Sequence, residues 1–457
     1  MKINKQADIQ SYIQAFHQIR TDFILPKLFI CPGIDEAGHV ISNNLPSYMD
    51  WTTSVRRIYE ADILDRVITL DKLSEDTHNY VFVIDIDYSR DNKYGNTLVE
   101  YYEKYNIIPP EVLILMQQGR CLLIIDEIFE AYSDVHNLMK IHELLVYYSI
   151  PPGNCVYIDS SPGASELYDR MCVDKNIPDK ITIRCTPTFL MLASAYVKHS
   201  RNTIVDSPYE IDKKFMCLNN SFRPHRLIFV LLLLHSSKHL INEMYISFPK
   251  IDIFNSDFKQ TLLRILVTND STYLRYNISD REPRTVPYTG KLPNVIFDKD
   301  VIDEFYEQLP LEVDKRVIRY NTLYEDLKTD IIEYYQKCLF NIVTESHFNQ
   351  IEYDCSSMFL TEKILKPMIY KQIPILIGPF HLIRLMRNLG FDMFDDIVDH
   401  SYDDIVCSDT RLVAVIDEVN KINDKYSIQD VRALRAQLDA RLCANVDRLR
   451  SFNIYEV

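Results

Sequence analysis

Glycine is scarce in this sequence: nine residues in 457. Neither G-x-G-x-x-G nor G-x-x-x-x-G-K-[ST] occurs, so no glycine loop is available to cradle phosphates. A nucleotide would have to be held by helix ends and charged side chains instead. The ten cysteines include no C-x-x-C and no Cys/His pair at zinc spacing, which excludes the common structural zinc modules. They are expected to be reduced, mostly buried thiols of a cytoplasmic protein. Basic runs are missing too. The net charge is −15 and the isoelectric point is near 5.3, which weighs against a nucleic-acid partner. Long apolar runs are equally absent. The longest, LIFVLLLL at Leu227–Leu234, falls far short of the ~20 residues a membrane span needs. The start, MKINKQADIQSYIQAF, lacks the apolar centre of a secretion signal, so the expectation is a protein with no membrane span.

What is present is a globular balance, 47% hydrophobic and 25% charged. In the first half, short unalternated apolar runs end in acids or turn residues: Leu28–Cys31 before Pro32, Val81–Ile84 before Asp85, Cys121–Ile125 before Asp126, Val156–Ile158 before Asp159. Patterns of helical period, such as Leu98–Tyr105 and Leu138–Tyr148, separate the later runs. Buried strands alternating with helices define an α/β fold with a parallel sheet, whose ligands bind beyond the carboxyl ends of the strands. A second α/β unit is read from Lys213. It has a strand at Phe215–Leu218, a helix apolar nearly all round at Pro224–Leu234, and strands at Phe340–Val343 and Ile373–Ile377. Asn269–Pro293, with three prolines, reads as a long loop, and Ile428–Phe452 as one long amphipathic helix. The chain thus divides into residues 1–212 and 213–457.

Three local patterns carry chemistry. CLLIIDE, Cys121–Glu127, has the form of a Walker B strand, but without a phosphate loop and its lysine the ATPase reading fails. VFVIDID puts Asp85 and Asp87 in a D-x-D at a strand end, suited to a divalent cation; Asp298 and Asp300 repeat the spacing without a strand before them. The segment Asn341–Gly378, NIVTESHFNQIEYDCSSMFLTEKILKPMIYKQIPILIG, offers Ser357 or Thr361 as the cap of a helix with Glu362 and Lys363 in its first turn. Open N–H groups and a lysine there make an anion site, and a carboxylate beside it suits ribose hydroxyls. Pro367 is expected near enough to the helix start to be tolerated.

That segment resembles the nucleotide-sugar half of the α1,3/α1,4-fucosyltransferase family, and is similar to glycosyltransferases of that type in phages and large DNA viruses. Thr344-Glu345-Ser346, Phe359-Leu360-Thr361-Glu362-Lys363 and Pro374-Ile375-Leu376-Ile377-Gly378 carry the likeness. LMRNLGFDMFDDIVDHSYDDI (Leu385–Ile405) and KFMCLNNSFRPHRL (Lys214–Leu227) extend it over residues 213–420. The resemblance implies two facing Rossmann-like domains, a GT-B-like arrangement. It implies a donor site of Glu345, Ser346, Phe359, Thr361, Glu362 and Lys363, with Arg223 or Arg226 against the diphosphate. Ser346 stands where the family has asparagine. The implied reaction is inverting sugar transfer, without a metal or other cofactor, from a GDP- or UDP-linked sugar to a hydroxyl of a glycan, protein or modified nucleobase.

Such a transfer needs a base to take the acceptor's proton. If the second unit holds the donor, the base comes from the first, where Glu36, Asp85, Asp126, Glu127, Glu130 and Asp159 follow strands; Glu130 is preferred and Glu127 is second. Three other readings stand beside this one: a metal-dependent transferase using the D-x-D, a DNA-modifying sugar transferase, and a catalytically silent binding or virion protein that keeps the fold.

Overall fold

The structure, a computed structural model, describes residues 28–31, 67–69, 73, 80–84, 99, 103, 107–127, 135–161, 163–185, 188–199, 210–219, 224–248, 274–276, 284–286, 332–345, 348 and 360–452. The chain divides into two compact units. One gathers Met1–Ala195 with Ser356–Leu360 and Asn453–Val457; the other gathers Tyr196–Cys355 with Thr361–Phe452.

The first unit is built on a six-stranded sheet in the order β2-β1-β3-β4-β5-β6. The strands are β1 Leu28–Cys31, β2 Val67–Thr69, β3 Tyr80–Ile84, β4 Cys121–Glu127, β5 Cys155–Asp159 and β6 Thr182–Cys185. Every pairing is parallel. Parallel pairing follows from the sequence: Tyr80, Val81, Phe82 and Ile84 are all buried, so β3 has no wet face to give an alternating pattern. Helices α1 Pro110–Gln117, α2 Val135–Tyr147 and α3 Ala164–Asp174 are the crossovers. Leu138, Ile141, Leu144 and Leu145 of α2 join Phe82, Leu123 and Tyr157 of the sheet in one core, each contributing ~1.5–3 kcal/mol on burial. Helix α4, Thr188–His199, crosses the division between units.

The second unit carries a four-stranded parallel sheet in the order β12-β11-β7-β8. Its strands are β7 Phe215–Leu218, β8 Met244–Ser247, β11 Phe340–Thr344 and β12 Ile373–Ile377. Pro374 cannot donate to a ladder, and β12 accommodates it by lying at the sheet edge. Helix α5, Pro224–Ser236, follows β7; Leu227 to Leu234 are all buried, as an apolar circumference requires. After α6 (Ile332–Gln336) and β11 comes α7, Glu362–Ile369, and after β12 comes α8, Leu382–Asn388. Right-handed crossovers send α5 and α7 to opposite faces. Accordingly α5 packs against α9 (Ser408–Lys425), and α7 against α11 (Asp439–Ser451).

Three expectations need correction. Asn269–Pro293 is not all loop: β9 (Leu274–Tyr276) and β10 (Arg284–Val286) pair antiparallel within it. Three-residue strands leave too few positions for an apolar period to register. The single long C-terminal helix is instead two, α10 (Ile428–Gln437) and α11, meeting at Leu438, whose ψ of 0° departs from helical geometry. The two helices are anchored to different places. Arg432 and Arg435 of α10 donate to the carbonyls of Ile211 and Lys371, while Arg441 of α11 pairs with Asp392 and Asp396. Pro367 lies at the sixth position of α7, beyond the free N–H groups of the first turn, and the helix ends two residues later.

In both sheets the first strand is interior, with the second strand on one side and the third on the other. This doubly wound α/β pattern, compatible with a Rossmann-like fold, has its topological switch points at β1/β3 and β7/β11. Among the described residues no helix is long and apolar enough to cross a membrane. The described cysteines are free thiols, and Cys121, Cys155, Cys172, Cys217 and Cys338 are buried.

Candidate functional site

The carboxyl ends of β7 and β11, the switch point of the four-stranded sheet, are joined by buried polar groups. Asn219, directly after β7, takes a hydrogen bond from the Thr344 hydroxyl at the end of β11. Glu345 follows, only 1% exposed, and its N–H donates to the carbonyl of Ile377 at 2.8 Å, which extends the sheet by one residue. Gly378 follows β12 here, and a Cβ at that position would meet the tip of the Leu382 side chain at 2.3 Å, so that leucine would have to move.

The Glu345 carboxylate turns to the start of α7. The Thr361 hydroxyl lies 2.7 and 2.9 Å from its two oxygens and donates to it, and the Thr361 N–H approaches at 3.4 Å. Having given its proton to Glu345, the same hydroxyl accepts from the Lys363 N–H at 3.2 Å, the N-cap bond of α7. Of the two caps the sequence offered, Thr361 is the one used. Lys363 folds back to this end, its Nζ 3.4 Å from Thr361 Oγ1 and 2.9 Å from Glu362 Oε1. Burial pushes the Glu362 carboxyl up, but Lys363 and Lys366 more than offset it and hold the pKa at about 2. Glu362 is therefore an anion at any physiological pH, with Lys363 30% exposed beside it.

From the other face, α5 delivers two side chains to the backbone of this turn. His225 is 2.8 Å from the Glu345 carbonyl through Nε2, which marks that nitrogen as the protonated one. Arg226, 1% exposed, donates through Nη2 to the carbonyls of Thr344 and Glu345 at 3.0 and 3.3 Å. Of the expected donor-site residues, Arg226, Glu345, Thr361, Glu362 and Lys363 thus come together around one turn, with Arg226 and Glu345 inside it and Lys363 at its surface. Arg223, Ser346 and Phe359 lie outside the described residues.

In the first unit, Glu127 closes β4 in register with Asp159 of β5. Asp159 is fully buried, accepting from the Ser161 N–H at 2.5 Å and the Tyr157 hydroxyl at 3.1 Å. Glu130, Glu36, Asp85, Asp87, Asp298 and Asp300 lie outside the described residues. Among the described residues no group of three or more His, Cys, Asp or Glu side chains is arranged to hold a metal.

Sequence reasoning missed Asn219, His225 and Arg411. His225 was hidden inside the P-H-R start of α5. Arg411 belongs to no motif and is found only through its partners, the carbonyls of Ile405 and Phe348. Comparison with protein-family models, curated proteins and solved structures gives no match for this chain.

Proposed function

We propose that the second unit binds a nucleotide-activated sugar at the carboxyl edge of its four-stranded sheet. In this reading the protein is a metal-independent, inverting glycosyltransferase of GT-B-like organisation. The observation that carries the reading is the start of α7: a helix end capped by Thr361, braced from below by Glu345, with Lys363 returning to it. A departing nucleoside diphosphate gathers negative charge, and a helix N-terminus with an ammonium stabilises it where it forms. Glu362, fixed as a carboxylate, accepts from ribose hydroxyls. The first unit supplies the base, Glu130 first and Glu127 second, which takes the acceptor hydroxyl's proton as its oxygen attacks the anomeric carbon.

The test is thermal shift with GDP, UDP, CMP and their sugar conjugates. A ligand at 100 times its Kd stabilises the fold by about 2.7 kcal/mol. Lys363→Ala should then weaken the active nucleotide by roughly tenfold to a hundredfold, the cost of one charge-assisted phosphate contact, over and above any fall in the unliganded midpoint from losing its pair with Glu362. Absence of any nucleotide response, or an unchanged affinity in Lys363→Ala, sinks the reading.

A metal-dependent transferase is the second reading, supported by the place of β3. This strand borders the switch point of the six-stranded sheet, and Asp85 and Asp87 follow its last residue, Ile84, in the sequence. Turnover abolished by EDTA and restored by Mn²⁺ would put this reading first.

A further inference from the structure

Arg411, on the first turn of α9, carries a charge into the interior of the second unit with 3% of its surface exposed. Nη1 donates to the Ile405 carbonyl at 2.8 Å and Nη2 to the Phe348 carbonyl at 3.0 Å. The guanidinium also lies 5.1 Å from the centroid of the Phe348 ring. Its Nε, fully buried, has no hydrogen-bond partner among the described residues. Among the described residues no carboxylate forms an ion pair with it. Asp403 influences it from a distance, but that carboxylate is engaged by the N–H groups of Ile383 and Arg384, both at 3.0 Å. Burial lowers the Arg411 pKa to about 10, so it remains a cation.

Neutral carbonyls are poor compensation for a buried guanidinium, and a buried charge ordinarily comes with an opposite one. The position of this cation gives the anomaly a direction. Phe348 follows the end of β11 by a few residues, and its ring stacks with His225 at 5.1 Å. His225, Arg226 and Arg411, from two helices, thus all converge on the turn that leaves the switch-point strand. The buried acid in that turn, Glu345, is already committed to Thr361.

We propose that Arg411 is an anion-binding residue of the second unit and receives a phosphate of the ligand held at this edge through its Nε–H. Its assignment to a nucleoside diphosphate rests on the function proposed above; the anion site itself does not. Because the side chain is covered, binding of an anion at Nε includes a displacement of the groups packed on the guanidinium, the Phe348 ring among them.

The experiment follows arginine Nε–Hε resonances of the full chain labelled with ¹³C and ¹⁵N, with the Arg411 signal assigned by through-bond correlation to its own backbone amide. Inorganic pyrophosphate, then GDP and UDP, are titrated in. The proposal expects the Arg411 signal to move to saturation with pyrophosphate, and the affinity to fall about tenfold or more in Arg411→Lys, which keeps the charge but loses the planar donor set. The resonance is read in the unmutated protein, so a folding defect in the variant does not blunt the test. Pyrophosphate that fails to bind, or binds without moving the Arg411 signal, overturns the proposal. If pyrophosphate moves the signal and no nucleotide binds, the anion site stands and the nucleotide-sugar reading falls. If nucleotides bind with the Arg411 signal unmoved, the reading stands and Arg411 is not its phosphate ligand.

Discussion

Thr361 shows how one hydroxyl ties a strand to a helix. Its proton goes to Glu345 and its lone pair to the Lys363 N–H, so removing the oxygen breaks both links at once. Losing an N-cap alone costs ~0.5–2 kcal/mol. Here the change also strips the hydroxyl from a buried carboxylate, which adds a desolvation penalty of ~1–3 kcal/mol. Thr361→Val, equal in shape, is therefore expected to lower the urea-unfolding free energy by roughly 2–4 kcal/mol, and Thr361→Ser by less than about 1. Equal small losses in both variants would mean that Glu345 does not depend on this contact. The sequence disclosed half of this arrangement. A threonine followed by Glu-Lys is a visible cap, but Glu345 is sixteen positions away and its aim at Thr361 arises only when β11 and α7 are juxtaposed. Arg226 was legible as a charge near a strand end, yet its burial comes from the apolar face of α5 around it.

Strands announced themselves where both faces are buried. β4, β5, β7, β11 and β12 read directly as unbroken apolar runs, whereas β6, Thr182–Cys185, is partly exposed and polar and passed unnoticed. β8 was hidden by Tyr245 and Ser247 among its four residues. The short 3₁₀ turn His400–Asp404 was equally silent, although it ties β12 to the segment before it. The Leu376 N–H donates to the Tyr402 hydroxyl, which donates to His400 Nδ1, and His400 Nε2–H donates to the Met393 carbonyl. Burial lowers the pKa of this imidazole below its usual 6.5. The unfolded chain consequently binds a proton more readily than the native one. Stability that is complete above about pH 6.5 is then lost as the pH falls, by at most ~1.4 kcal/mol per pH unit from this residue. Unfolding free energies from pH 7.5 to 5.5 should show a shallower decline in His400→Gln than in the parent. Parallel declines would mean that the imidazole titrates normally.

At the scale of the whole chain, the proposed reaction divides its labour between two sheets, and that division has a kinetic signature. Glu130→Gln keeps size and hydrogen bonding but removes the basic lone pair. It should lower kcat by roughly 10²–10⁴ while nucleotide affinity stays nearly constant. If Glu127→Gln is the damaging change instead, the division survives with a different base; if neither slows turnover, the base lies elsewhere. The division also bears on how the molecule acquires its shape. In the first unit β4 pairs with β5, its near neighbour in sequence on the far side of α2, with Leu123 meeting Cys155. In the second, β7 waits for a strand whose end lies 125 positions further along, as the Thr344–Asn219 bond records. The interior pairing that creates the switch point of the second sheet is thus its most distant in sequence, and loop-closure entropy must be met before that contact returns anything. During synthesis β7 emerges with one side unsatisfied until β11 is made, and α5, with its apolar circumference, waits longer still for α9 to pack against it.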